Sequence, residues 1–253
     1  MSAIAIAMGT DGIIAACDGV CYDYETGTVS GFVSKVILLP EYGAFIGWTG
    51  AGAFGPALRW EINQAIVSFD DLVEQFGHLC EAVQWKLFGY NEGPETEVSC
   101  VIAGWSQARQ SYEVYRLVSY DKTSIDLSDG RKIRIEPFKA YPLPEAWWCS
   151  ISPTRRADFG LSPPAPGEEA VDTAIRLICA ARADSGRKEH EDGHGRFFMA
   201  GGFVQVVVLQ QNSTQSYIAH RWPEDVLGQP IDPSKGSPLP AWLEMHNAPA
   251  AAA

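Results

Sequence analysis

The sequence predicts an α+β fold, a four-layer αββα sandwich in which two antiparallel sheets pack face to face and helices cover both outer faces. Three observations lead there. The opening runs, AIAIAM at residues 3–8 and IIAAC at 13–17, are apolar at successive positions, so both faces of each strand must be covered. Between them Gly9-Thr10-Asp11-Gly12 reads as a tight turn, which makes the pair a hairpin. The remaining elements follow as strands, two helices, strands, one helix and strands, neither a strict βαβ alternation nor strands alone.

Taken in order, residues 33–39 (VSKVILL) give a third strand that carries a lysine, and 44–48 a fourth that runs into the Gly47-Trp48-Thr49-Gly50 turn. Phe54, Ala57, Leu58, Ile62, Ala65 and Ile66 recur at helical spacing, with Pro56 tolerated in the first turn. Ser68 with Asp71 resembles a capping box that opens a second helix, whose apolar stripe is Leu72, Phe76, Leu79, Cys80, Val83 and Leu87. Residues 98–105 and 112–118 read as a strand pair, 132–136 as an accessory strand and 147–151 as a short buried strand. Residues 153–160 suit a helical turn and 162–167 a proline-rich loop. From Glu168 an amphipathic helix places Ala170, Val171, Ala174, Ile175, Ile178 and Ala181 on one side. The polar stretch 185–196 is expected to be an exposed loop, and 203–209 with 216–220 a last strand pair.

Composition narrows the function. At 253 residues and 46% hydrophobic content the chain suits one large domain, assigned to 1–222. Residues 223–253 form a proline- and alanine-rich extension whose tip is expected to be disordered. A net charge of −12 argues against a nucleic-acid partner. No apolar run reaches the length of a membrane span, about 18 residues or more, and the N-terminus lacks the basic stretch of a signal peptide. The six cysteines, at 17, 21, 80, 100, 149 and 179, are scattered through apolar runs and lack the paired spacing of a zinc site. They read as buried thiols of a reducing, cytoplasmic setting.

The chemistry is concentrated at the chain start. Chain termini fray unless tied down, yet here the first residues belong to a strand. Removal of Met1 would leave Ser2 with a free α-amine, which titrates at about 7.7–8.0 and can accept the proton of its own hydroxyl. Asp18 follows directly on the second apolar run, at the mouth of the core, and Lys35 lies on the third strand.

These features resemble the proteasome-type N-terminal-nucleophile hydrolases, the proteasome β subunits and their bacterial two-component protease relatives. The likeness is carried by the opening strand, the DG-II-AA-C-D hairpin, the SKVILLP strand and the GWTGAG turn before a helix. It covers residues 2–66 well and the remainder loosely. Asp18 follows Ser2 by sixteen residues, as in the family, and Lys35 follows Asp18 by seventeen, one more than the family spacing. The resemblance implies the same αββα architecture, Ser2 as nucleophile in place of the usual threonine, Asp18 and Lys35 as its charged support, and the Gly50 amide as oxyanion donor. It also implies a ring-forming homo-oligomer that cleaves peptide or small amide bonds without metal or cofactor, with an unfoldase as a compatible partner. The alternative is a catalytically inactive structural or assembly subunit of the same fold. In the family a serine–aspartate–serine set supports the nucleophile. Its first serine maps to Ser150 or Ser152, and its later pair either meets Ala200 before Gly201-Gly202 or falls at Asp184-Ser185.

Two other patterns carry little. Gly50-Ala51-Gly52-Ala53-Phe54-Gly55 matches GxGxxG, with Asp70 about twenty residues on, but a dinucleotide fold requires a parallel strand after the helix where a second helix is predicted. His190 and His194 flank Glu191-Asp192-Gly193 in a polar stretch that reads as solvated loop. Trp147-Trp148 are candidates for an interface.

Overall fold

The structure, a computed structural model, describes residues 3–23, 25–62, 66–91, 93–121, 125–126, 132–143, 147–149, 170–183, 198, 200–211 and 213–235. One sheet is built on the chain start. Strand β1 (Ile4–Met8) pairs with β2 (Ile13–Asp18) through the predicted turn, Ile4 facing Cys17 and Met8 facing Ile13. Strand β13 (Phe203–Gln210) adds to the free side of β2, with Val204 opposite Asp18, and β14 (Ser213–Arg221) adds to β13. The short β12 (Trp147–Cys149) lies on the other side of β1. The second sheet runs β11 (Tyr141–Pro142), β8 (Ser111–Val118), β7 (Ser99–Ser106), β6 (Ala44–Thr49) and β5 (Val36–Leu39). Two small hairpins complete the set, β3 (Val20–Tyr22) with β4 (Val29–Phe32) and β9 (Ile125–Asp126) with β10 (Lys132–Ile133).

The non-alternating runs are explained by where each face goes. From β1 and β2, Ile4, Ile6, Ile13, Ala15 and Cys17 pack with Val36, Phe45, Val101 and Ala103 of the second sheet. The opposite faces present small residues, Ala3, Ala5, Ala7 and Ala16, to Ala174, Ile175 and Ile178 of α3 (Ala170–Ala183). Period-2 geometry thus sends alternate residues to opposite faces, with Ala15 joining the isoleucines against the second sheet and Ile14 joining the alanines against α3. A third apolar cluster joins α1 (Phe54–Glu61) and α2 (Phe69–Phe88), through Phe54, Leu58, Leu72, Phe76, Cys80 and Val83, to Ile46, Trp48, Cys100 and Ile102. Each fully buried aliphatic or aromatic side chain contributes about 1.5–3 kcal/mol relative to exposure.

The capping prediction for α2 is met: Ser68 Oγ accepts the Asp71 N–H at 3.0 Å, and Asp71 Oδ2 accepts the Val67 N–H at 3.3 Å. Three readings change. Helix α1 ends at Glu61, because Ile62 turns to an extended conformation; Ile66 still reaches the core, from outside the helix. The third strand begins at Val36, so Lys35 immediately precedes it. The hairpin β3–β4 was not anticipated; its strands of three and four residues are too short to show a period.

Residues beyond β14 are packed as far as they are described. Trp222, Asp225 and Ile231 are buried, and the β4 backbone exchanges bonds with Gly228 and Gln229, both at 2.8 Å. Every strand pairing among the described residues is antiparallel, so the GxGxxG segment between β6 and α1 lacks the parallel neighbour of a dinucleotide fold. No helix among the described residues is long and apolar enough to cross a membrane. The fold is mixed α/β, with three α-helices among the described residues and antiparallel sheets.

Candidate functional site

The site forms where β1 begins and β2 ends. Asp18 is the last residue of β2 and is fully buried. Its own N–H donates to the Ala3 carbonyl at 3.1 Å, which extends the β1–β2 ladder to the first described residue. Its carboxylate is saturated by donors. Oδ1 accepts the Ala3 N–H at 2.8 Å, and Oδ2 accepts Lys35 Nζ at 2.7 Å. Two backbone N–H groups, of Val20 and Gly201, reach Oδ2 at 3.3 Å each. A buried carboxylate is tolerated only when paired and hydrogen-bonded in this manner.

Lys35 is delivered by the sheet. Its carbonyl accepts the Trp48 N–H at 3.0 Å, one residue beyond the β5–β6 ladder, and its side chain is only 4% exposed. Beside it Ser34 Oγ donates at 2.6 Å to Gln205 Oε1 on β13, which ties the start of β5 to the other sheet. The structure therefore brings Asp18 and Lys35 into direct contact from different sheets.

Gly50 closes β6 with φ at +106°, a conformation side chains resist, and a Cβ there would collide with the Glu97 carbonyl. It stands two residues past Trp48, the residue bonded to Lys35. The same turn packs against the β3–β4 hairpin: a Cβ on Gly52 would lie 3.1 Å from Cys21 Sγ. Ser2 lies outside the described residues, as do Ser150, Ser152, Asp184, Ser185, His190 and His194; the side chains of Trp147 and Trp148 are likewise outside. Ala200 is buried, and its carbonyl faces Arg182.

Two thiols share the electrostatic surroundings of the pair. Burial pushes the Cys17 thiol up to about 12, with Asp18 adding to the rise and Lys35 opposing it. The Cys21 thiol is raised by burial as well, against the lowering pull of Lys35. In both, burial favours the protonated thiol.

Sequence reasoning did not foresee the Gly201 N–H on Asp18, nor the buried group behind it. Arg182 donates to both carboxylate oxygens of Asp225, at 2.7 and 2.8 Å, and to Glu224 at 3.2 Å. The only trace was the Gly201-Gly202 pair ahead of β13. An ammonium held by a carboxylate can place positive charge beside a neighbouring group and favour that group's deprotonated form.

No family model and no curated protein matches the chain. Among solved structures it is similar to Anbu (ancestral beta-subunit) from Yersinia bercovieri, with a TM-score of 0.55 and 13% identity over 89% of this chain and 88% of that one. At that identity the likeness is one of architecture, and what it supports is that this chain has a proteasome-like fold.

Proposed function

We propose that the protein is an N-terminal-nucleophile amide hydrolase whose nucleophile is Ser2, exposed by removal of Met1, and that its layers follow the αββα order. The observation that carries this reading is the buried Asp18–Lys35 pair anchored to the chain start. The Ala3 nitrogen, to which the Ser2 carbonyl carbon is bonded, lies 2.8 Å from Asp18 Oδ1.

In this reading Ser2 Oγ attacks the substrate carbonyl carbon, and its proton passes to the α-amine of the same residue. Lys35, ion-paired with Asp18, places a positive charge that favours the neutral form of the amine. The Gly50 N–H donates to the oxyanion of the tetrahedral intermediate, a type of contact that contributes about 3 kcal/mol. Collapse breaks the C–N bond, the ammonium returns the proton to the leaving amine, and an ester on Ser2 remains. Water, deprotonated by the amine, then releases the carboxylic acid and restores the hydroxyl. The substrate is a peptide or a small amide, and the enzyme works as a cytoplasmic homo-oligomeric ring, with an unfoldase as a compatible partner.

A second reading keeps the fold and drops the chemistry, leaving a structural or assembly subunit. Ala200 favours it, since on one alignment this residue stands where a supporting serine is expected. Hydrolysis of a fluorogenic peptide amide separates the two. Turnover by the wild-type chain that disappears in Ser2→Ala at unchanged urea midpoint supports the hydrolase. No turnover in either protein supports the structural subunit, and equal turnover in both refutes Ser2 as the nucleophile.

A further inference from the structure

The geometry points to Arg182 and Asp225 as positioning residues for the Asp18–Lys35 centre, acting through the backbone of residues 200–202. The part that concerns turnover rests on the hydrolase reading above. Arg182 lies near the end of α3, 43 residues before Asp225, which follows β14. Both side chains are nearly or fully buried, at 5% and 0% exposure.

The pair grips the strap ahead of β13 at both ends. Arg182 Nη1 donates to the Ala200 carbonyl at 3.4 Å, and the Gly202 N–H donates to Asp225 Oδ2 at 2.6 Å. Between those two points stands Gly201. Its N–H meets Asp18 Oδ2 at 3.3 Å, and its carbonyl accepts the Gly19 N–H at 3.0 Å. A Cβ on Gly201 would come within 2.5 Å of Asp225 Oδ2 and 2.6 Å of Arg182 Nη1, so the strap lies directly on the ion pair. The guanidinium is backed in turn by the Trp222 ring, 4.6 Å from its centroid. Such a rigid, bidentate fork fixes geometry better than it adds net stability.

Loss of the clamp would free the strap and with it one of the two backbone donors on Asp18 Oδ2. The fold would persist, because apolar residues of similar volume often replace a buried ion pair without loss. The full-length double variant Arg182→Met/Asp225→Leu tests this by amide exchange and turnover together. The expected result is a urea midpoint close to wild type, unchanged exchange at Val206 and Val207 in β13, and Gly201 exchange faster by about tenfold. With a peptide amide, kcat falls by about ten- to a hundredfold while KM stays constant. Arg182→Lys, which keeps the charge but gives up the fork, falls between the two. Wild-type exchange at Gly201 would overturn the inference, and so would faster exchange with unchanged kcat. Should the double variant not fold, the Gly201 amide in Arg182→Lys decides: faster exchange supports the clamp, identical exchange refutes it. A wild-type chain without turnover would defeat the hydrolase reading alone, and the exchange data would then judge the clamp.

Discussion

Lys35 Nζ lies 2.7 Å from Asp18 Oδ2, although the two residues come from different sheets and neither side chain is more than 4% exposed. Removing one partner strands a buried charge. Asp18→Asn or Lys35→Met should each lose about 3–5 kcal/mol of unfolding free energy. The double variant should recover much of that loss, because it removes both charges. Urea unfolding of the two single variants and the double, read as a double-mutant cycle, checks this; additive losses would contradict direct coupling.

The Gly50 turn carries conformational strain that only glycine accepts. Gly50→Ala is expected to destabilise the protein by more than about 1 kcal/mol, given φ at +106° and the Glu97 carbonyl in the path of a Cβ. A thermal melt that matches wild type would show that the turn relaxes freely.

The pair could be anticipated in the sequence only in part. Asp18 stood out as a carboxylate closing an apolar strand, and Lys35 by its distance from Asp18 in a family resemblance. What the sequence could not show is how they meet, since that depends on β5 starting at Val36 and on the Trp48 N–H of β6 donating to the Lys35 carbonyl. Apolar spacing overextended α1 for a related reason. Ile62 and Ile66 are buried as the pattern demands, yet they reach the core from outside the helix. The contact between Arg182 and Asp225 left no local trace at all, because no periodicity or cap links residues that far apart. The opening hairpin and α2 were legible since their signals, a turn and a cap, are local.

His220 is expected to give the fold a pH dependence. Its ring meets the Trp222 ring edge-on at 5.1 Å, and its Nε2 finds no partner among the described residues. Burial lowers its pKa below the ordinary histidine value, with Glu224 opposing and Arg182 assisting. The unfolded chain therefore takes up this proton first. The stability contribution is complete above about pH 6.5 and is lost as pH falls through the lower folded value. Urea midpoints at pH 7.5 and 5 should differ less in His220→Gln than in wild type; an identical difference would remove His220 as a cause.

Thiol reactivity should report the surroundings of the pair. Cys21 is partly exposed, whereas Cys17 is buried with its thiol pushed up to about 12. Cys179 is buried too, with the same upward shift to about 12. Iodoacetamide at pH 8 is expected to modify Cys21 before Cys17, Cys80, Cys100 or Cys179, as read by peptide mapping. Early modification of Cys17 would mean that the β2 end of the core opens readily.

The most direct measurement is the intact mass of purified protein before and after a β-lactone inhibitor of N-terminal nucleophiles. If Ser2 is the nucleophile, the starting mass lacks Met1, a single acyl adduct maps to Ser2, and Ser2→Ala gains no adduct. A chain that retains Met1 and gains no mass, or an adduct that persists in Ser2→Ala, would contradict that role.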